Sequence, residues 1–114
     1  MTDSELTFSE AMTLQDRLLA AHPEWGERTI DKGRDYLLYI VDELGEVIAI
    51  LKKQGEARVM DDPAVRAHFL EEVSDVLMYY TEMLMAYQIT PGELARAFRD
   101  KHQRNLIRDY ESEH

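Results

Sequence analysis

Two carboxylate pairs, Glu43-x-x-Glu46 and Glu72-x-x-Asp75, interrupt hydrophobic stretches of this 114-residue chain. A spacing of three residues puts both members of a pair on neighbouring turns of one helix face, where they can reach a common ion. Each residue advances about 100° around a helix, so with Glu43 at zero the apolar residues Tyr36, Ile40, Val47, Ile50 and Leu51 fall between about −20° and 80°. Glu43 therefore lies inside the apolar arc, and Glu46 lies at its edge near about −60°. The second pair repeats the pattern, with Val65, Phe69, Val76, Tyr80 and Met83 at about 20° to 80° from Glu72 and Asp75 near about −60°. Burying four unpaired carboxylates would cost several kcal/mol each unless a proton or a cation neutralised them. Two helices that aim such pairs from the same edge of a core imply a shared metal site.

Oxygen donors of this kind suit Mg²⁺, with Mn²⁺ as a substitute, rather than zinc, which prefers nitrogen and sulfur. Magnesium usually shares its ligands with phosphate oxygens, so the natural chemistry is attack of water on a phosphate ester or anhydride. A carboxylate not fully used in coordination can take the proton from that water. The alternative is that these acids form salt bridges or sit at a solvated rim. A single pair would favour that alternative; two pairs at the same wheel offset favour the metal.

Further along, Lys101, Asn105 and Arg108 share one face, at about 0°, 40° and −20° on a wheel centred on Lys101. An ammonium, an amide and a guanidinium on one patch suit the oxygens of a triphosphate. A solvated basic face near a helix C-terminus, which the macrodipole favours, would look the same. Trp25 is the sole tryptophan; it can stack on a base or pack as a lid over the core. Tyr79, one turn beyond Asp75, borders the acidic edge, and Tyr36 and Tyr39 are candidates to line a pocket or to pack as core tyrosines with a polar tip. Lys32 and Arg34 are candidates to reach a phosphate or to be plain surface cations. The four histidines show no ligand spacing with one another, and Glu111-x-x-His114 reads as a chance match to a di-iron motif.

Four helices must position these groups. Thr7 and Glu10 read as a capping box opening a helix to about Ala21, and Pro23 and Gly26 mark the loop that follows. A second helix is expected from about Asp31 to Gln54, with Lys52 and Lys53 at its negative end and Gly55 as terminator. Gly33 and Gly45 within it suggest a bend or a close backbone approach. Asp62-Pro63 starts a third helix reaching about Gln88, and Thr90-Pro91 with Glu93 starts the fourth. Residues 110–114 read as a frayed tail. Period-two strand patterns and internal repeats are lacking, so the expected fold is an all-α, four-helix-bundle-like single domain, residues 1–114, with two long central helices. The apolar arcs of those two are wider than one partner helix needs, which suggests that subunits associate through them.

Composition bounds the partners. Thirteen basic against 23 acidic residues, a net charge of −10, argue against a grip on nucleic acid or an anionic membrane. A small phosphorylated ligand stays open, because a divalent cation can mask its charge. Absence of cysteine excludes disulfides and thiolate sites. The acidic start carries no signal-like apolar region and no run is long enough to span a bilayer, so a cytoplasmic setting is expected.

The acidic pairs, with 25 residues from Val47 to Glu71 between them, resemble the signature of the all-α nucleoside triphosphate pyrophosphohydrolases of the MazG type. That superfamily also includes dimeric dUTPases and phosphoribosyl-ATP pyrophosphohydrolases. The resemblance runs from about Trp25 to Arg108 and takes in Asp42-Glu43-Leu44-Gly45-Glu46, Glu71-Glu72-Val73-Ser74-Asp75 and Lys101-x-x-x-Asn105-x-x-Arg108. It implies Mg²⁺-dependent cleavage of a (deoxy)nucleoside triphosphate between the α and β phosphates, giving a monophosphate and pyrophosphate. By position, Glu43, Glu46, Glu72 and Asp75 would be catalytic metal ligands, with Glu46 the candidate to orient or deprotonate water. Lys101, Asn105 and Arg108 would hold the triphosphate. Related enzymes also place an aromatic residue near Trp25 against the base. A homodimer or dimer-based tetramer and a house-cleaning role in the nucleotide pool are the further expectations. The alternative is a non-catalytic helical module that binds a nucleotide or a protein.

Overall fold

The computed structural model describes residues 3–108, and within them every regular element is helical. Helix α1 spans Phe8–Ala21, α2 Gly33–Gln54, α3 Glu56–Asp61, α4 Pro63–Ala86 and α5 Pro91–Ile107, with single 3₁₀ turns at Pro23–Trp25 and Ile30–Lys32. No helix of the described residues is long and apolar enough to cross a membrane. The expected tail and the Glu111-x-x-His114 pair lie outside the described residues.

The start signals act as their chemistry requires. Thr7 Oγ1 accepts the Glu10 N–H at 3.1 Å, and Asp62 Oδ1 accepts the N–H groups of Ala64 and Val65 at 3.0 and 3.4 Å. Thr90 and Glu93 close a full capping box at 3.1 and 3.2 Å. At the other ends, Gly55 stops α2 with φ 82°, a conformation that glycine adopts without Cβ strain. Helix α4 stops at Ala86, two residues before the expected Gln88. Gln88 takes φ 58°, and Ile89 N–H reaches back to Leu84 O at 2.8 Å.

The expected four helices are corrected to five among the described residues. The segment after Gly55, read as a connection, folds into α3, which buries Val59 and carries an Arg58–Asp62 ion pair at 3.2 Å. Its six residues are too few for hydrophobic periodicity to register, so packing decides it. The bundle-like expectation changes as well. Helices α2 and α4 form the central pair, α1 packs on α4 and α3 on both. Helix α5 has no buried residue and stands off the rest, leaving Phe98 72 % and Ile107 80 % exposed. Gly33 fulfils the expectation of a close approach: a Cβ there would lie 2.5 Å from Tyr87 Cζ. Gly45 has nothing within 4 Å.

The core is small: Ala11, Ile50, Val59, Leu84 and Ala86, with Gln15 and Thr81 buried among them. Meanwhile Leu37, Val41, Leu44 and Ile48 form an exposed stripe on α2, and Leu70, Val73 and Leu77 one on α4. The radius of gyration is 17.3 Å, against about 13 Å for a compact domain of this length. The accessible surface is 8974 Å², against about 6,450 Å² for a compact monomer of the same mass.

Candidate metal centre

Where α2 meets α4, Glu43 from the first and Glu72 and Asp75 from the second converge. One carboxylate oxygen from each lies within 4.8 Å of the others, and all three residues are half-buried. The i, i+3 spacing on α4 delivers two acids to one side of the helix, and α2 supplies the third from across the interface. Glu46 is exposed and outside this set. Asp75, at the same edge offset on its own helix, is inside the set, so it is the packing of α2 against α4 and not the offset that separates the two.

Crowding like charges disturbs their protons. Partial burial comes first, then a hydrogen bond shared with Glu72 and the charges of Asp75, Glu72 and Glu46; together they hold the Glu43 carboxyl above its ordinary value of 4.5. The Tyr79 phenol is pushed up by burial and then by the charges of Glu43 and Asp75, so it stays a hydrogen-bond donor at neutral pH. Its ring lies 5.3 Å from that of Tyr39, tilted by 51°. His68 Nε2 sits 3.5 Å from Glu72 Oε1. Reading the histidines only against one another misses this contact; the i, i+4 spacing of His68 and Glu72 was the available signal.

Glu43 and Asp75 of the cluster line a cleft of about 550 Å³ together with Trp25, Tyr36, Tyr39 and Tyr79; Glu72 is not part of its lining. Trp25 is 52 % exposed, and its indole stacks on His22 with centroids 4.0 Å apart and planes 9° from parallel. It is therefore a cleft wall and not a buried lid. Lys32 lines the cleft too, its Nζ donating to Trp25 O at 3.2 Å and to Glu27 O at 2.5 Å. Arg34 is exposed and does not line it.

Gln15 and Glu82 face the same cleft and belong to a network that the sequence did not flag. Arg28 Nε donates to Glu82 Oε2 at 2.6 Å, Nη2 to Glu82 Oε1 at 3.1 Å and Nη1 to Asp16 Oδ1 at 2.8 Å. Gln15 Nε2 donates to Glu82 Oε1 at 3.0 Å. Glu82, then Asp16, push the Arg28 pKa higher still against the opposing effect of burial. Arg28 and Glu82 lie 54 residues apart, so no local spacing announces them.

Lys101 and Arg108 lie elsewhere, lining a second concavity of about 440 Å³ with Arg104 and Ile107. Asn105 presents a buried Oδ1 without a hydrogen-bond partner. Within one chain the structure does not bring these three residues to the acidic cleft. No family model matches this chain, and no curated protein matches it.

Proposed function

We propose that this protein is a Mg²⁺-dependent nucleotide pyrophosphohydrolase of the MazG-type all-α class, cleaving a (deoxy)nucleoside triphosphate between the α and β phosphates. The observation that carries the reading is the convergence of Glu43, Glu72 and Asp75 at the edge of an aromatic-lined cleft that Glu43 and Asp75 face. The donor set fits the cation. Octahedral Mg²⁺ holds oxygens at about 2.0–2.1 Å, so ligand oxygens stand up to about 4.2 Å apart, and small side-chain rotations bring oxygens within 4.8 Å to that spacing. The raised Glu43 pKa marks a carboxylate whose charge lacks compensation from the protein itself.

When bound, the cation would mask triphosphate charge and make coordinated water more acidic. The chain's own residues supply the remaining functions. Trp25 and the tyrosines offer faces on which a base can stack, and the Tyr79 hydroxyl can donate to a sugar or phosphate oxygen. Lys32 is a cation in an otherwise acidic cleft that also holds Asp35 and Glu82. Glu46, beside the cluster but outside it, is the carboxylate free to accept a proton from attacking water. Such a cleft repels a bare triphosphate, so turnover should depend strictly on divalent cation.

The reading includes a homodimer or dimer-based tetramer. The surface excess of about 2,500 Å² per chain, or about 5,000 Å² for a pair, lies at the upper end of what obligate dimers bury. Charge is also segregated: from Pro91 to Arg108 there are five basic residues against two acidic, in a chain of net −10. A second copy's α5 laid over the acidic cleft would bring Lys101, Asn105 and Arg108 to the triphosphate.

The test is pyrophosphate release from a panel of ribo- and deoxynucleoside triphosphates with Mg²⁺. At least one should be turned over, and Glu72→Gln should abolish the reaction. The position of Glu46 outside the cluster favours one other reading, a non-catalytic nucleotide-binding module. Tight binding by calorimetry without pyrophosphate release would establish that reading instead.

A further inference from the structure

The loop from His22 to Lys32 carries Trp25 and Lys32 into the cleft but has little apolar anchorage. Neither of its 3₁₀ turns contains a buried residue, and Trp25 and Ile30 are more than half exposed. Internally it is well braced. The Lys32 ammonium caps the carbonyls of Trp25 and Glu27, Gly26 turns at φ 79° with Lys32 Nζ 3.2 Å from where a Cβ would sit, and the indole rests on His22. A braced loop with few apolar contacts moves as a unit unless a polar tie holds it.

We infer that Arg28 is the positioning residue for this loop: by gripping Glu82 on α4 and Asp16 on α1 it sets where Trp25 stands relative to the acidic cluster. Its planar fork makes three hydrogen bonds to two carboxylates, and its side chain and that of Glu82 are each only 12 % exposed. Gln15 holds Glu82 from the other side. Glu82 lies seven residues after Asp75 on the same continuous helix, about 10.5 Å along the axis. Both ends of the cleft are thus referred to one rigid rod: the Ile30–Lys32 turn packs on α2 and α4 at the end of the loop, and Arg28 is the side-chain tie nearest Trp25 that joins the loop to α4. The role in substrate affinity rests on the nucleotide reading; the role in holding Trp25 does not.

Because Trp25 is the sole tryptophan, its fluorescence reports the loop alone. In Arg28→Met, acrylamide quenching of Trp25 should rise about twofold as a half-shielded indole becomes free, with faster anisotropy decay and unchanged helical circular dichroism. Under turnover, KM should rise about tenfold through lost base stacking while kcat at saturation stays within about twofold. Arg28→Lys, lacking the fork, should recover less than half of either effect. Wild-type quenching and anisotropy in a folded Arg28→Met protein would overturn the inference, as would kcat and KM worsening together with melting temperature. If Arg28→Met does not fold, Asp16→Asn, at an exposed partner, decides in its place: intermediate quenching supports the role and wild-type quenching refutes it. Absence of turnover in the wild type would remove the pyrophosphohydrolase reading, yet the fluorescence result would still decide the role of Arg28.

Discussion

Replacing Glu43 with glutamine should have opposite effects on stability with and without divalent cation. At the 4.8 Å bound on the separation of the oxygens, two unit charges repel by about 3.5 kcal/mol at an effective dielectric constant of 20 and about 0.9 in water. The acids are half-buried, so solvent screening puts the true cost toward the lower figure. Glu43 faces both Glu72 and Asp75. Relief on mutation is then about 1 kcal/mol, which for a domain of this size raises Tm by about 4 °C. With cation at a hundredfold excess over Kd, the wild type gains about 2.7 kcal/mol. The variant, short of one ligand, should gain at least about 1.4 kcal/mol less, a tenfold weaker site. Thermal melts of both proteins at neutral pH, in chelator and in excess Mg²⁺, should therefore cross: the variant melts higher in chelator and lower in magnesium. A variant less stable than wild type in chelator, or an equal magnesium response from both, would refute the idea that these acids form an uncompensated cation site.

The remaining expectations are independent of one another. The melting difference in chelator should depend on pH with a definite sign. Glu43 has a raised folded pKa, so its contribution favours the fold below its unfolded value of 4.5 and is lost as pH rises through the folded value. The advantage of Glu43→Gln should vanish in acid and grow above about pH 4.5, as a pH series of melts on both proteins would show. Gly33→Ala places a methyl against Tyr87 and should destabilise by about 1–3 kcal/mol in urea titration, even though alanine favours helix by about 1. Trimming the ring with Tyr87→Leu should return part of that loss. Val41→Glu on the exposed α2 stripe, where Val41 is 64 % exposed, should leave a monomer's fold intact yet shift light-scattering mass from dimer to monomer.

Much of this molecule was legible in the chain because helix signals are local. The caps at Thr7, Asp62 and Thr90 and the stop at Gly55 each act within four residues, and all are found where their side-chain chemistry placed them. The wheel offsets likewise place Glu43 and Glu72 inside apolar arcs with Glu46 and Asp75 at their edges, so a meeting of acids between two helices could be anticipated from spacing. Three features could not. Helix α3 depends on burying Val59 against α2 and α4, and its six residues hold no periodic pattern. Whether Glu46 joins the cluster turns on side-chain reach at the edge of an apolar arc, which a wheel cannot resolve. The partnership of Arg28 with Glu82 and Asp16 joins residues far apart in sequence, since charge complementarity carries no record of distance along the chain. Residue order alone determined the all-helical character, the helix starts and the place of Glu43 and Glu72 within apolar faces, since each depends on neighbours within a turn or two. Only the packing of α1, α2 and α4 decided which acids meet, where Trp25 stands, and that α5 is left apart with its cations and exposed apolar side chains, because those outcomes depend on which surfaces touch in three dimensions.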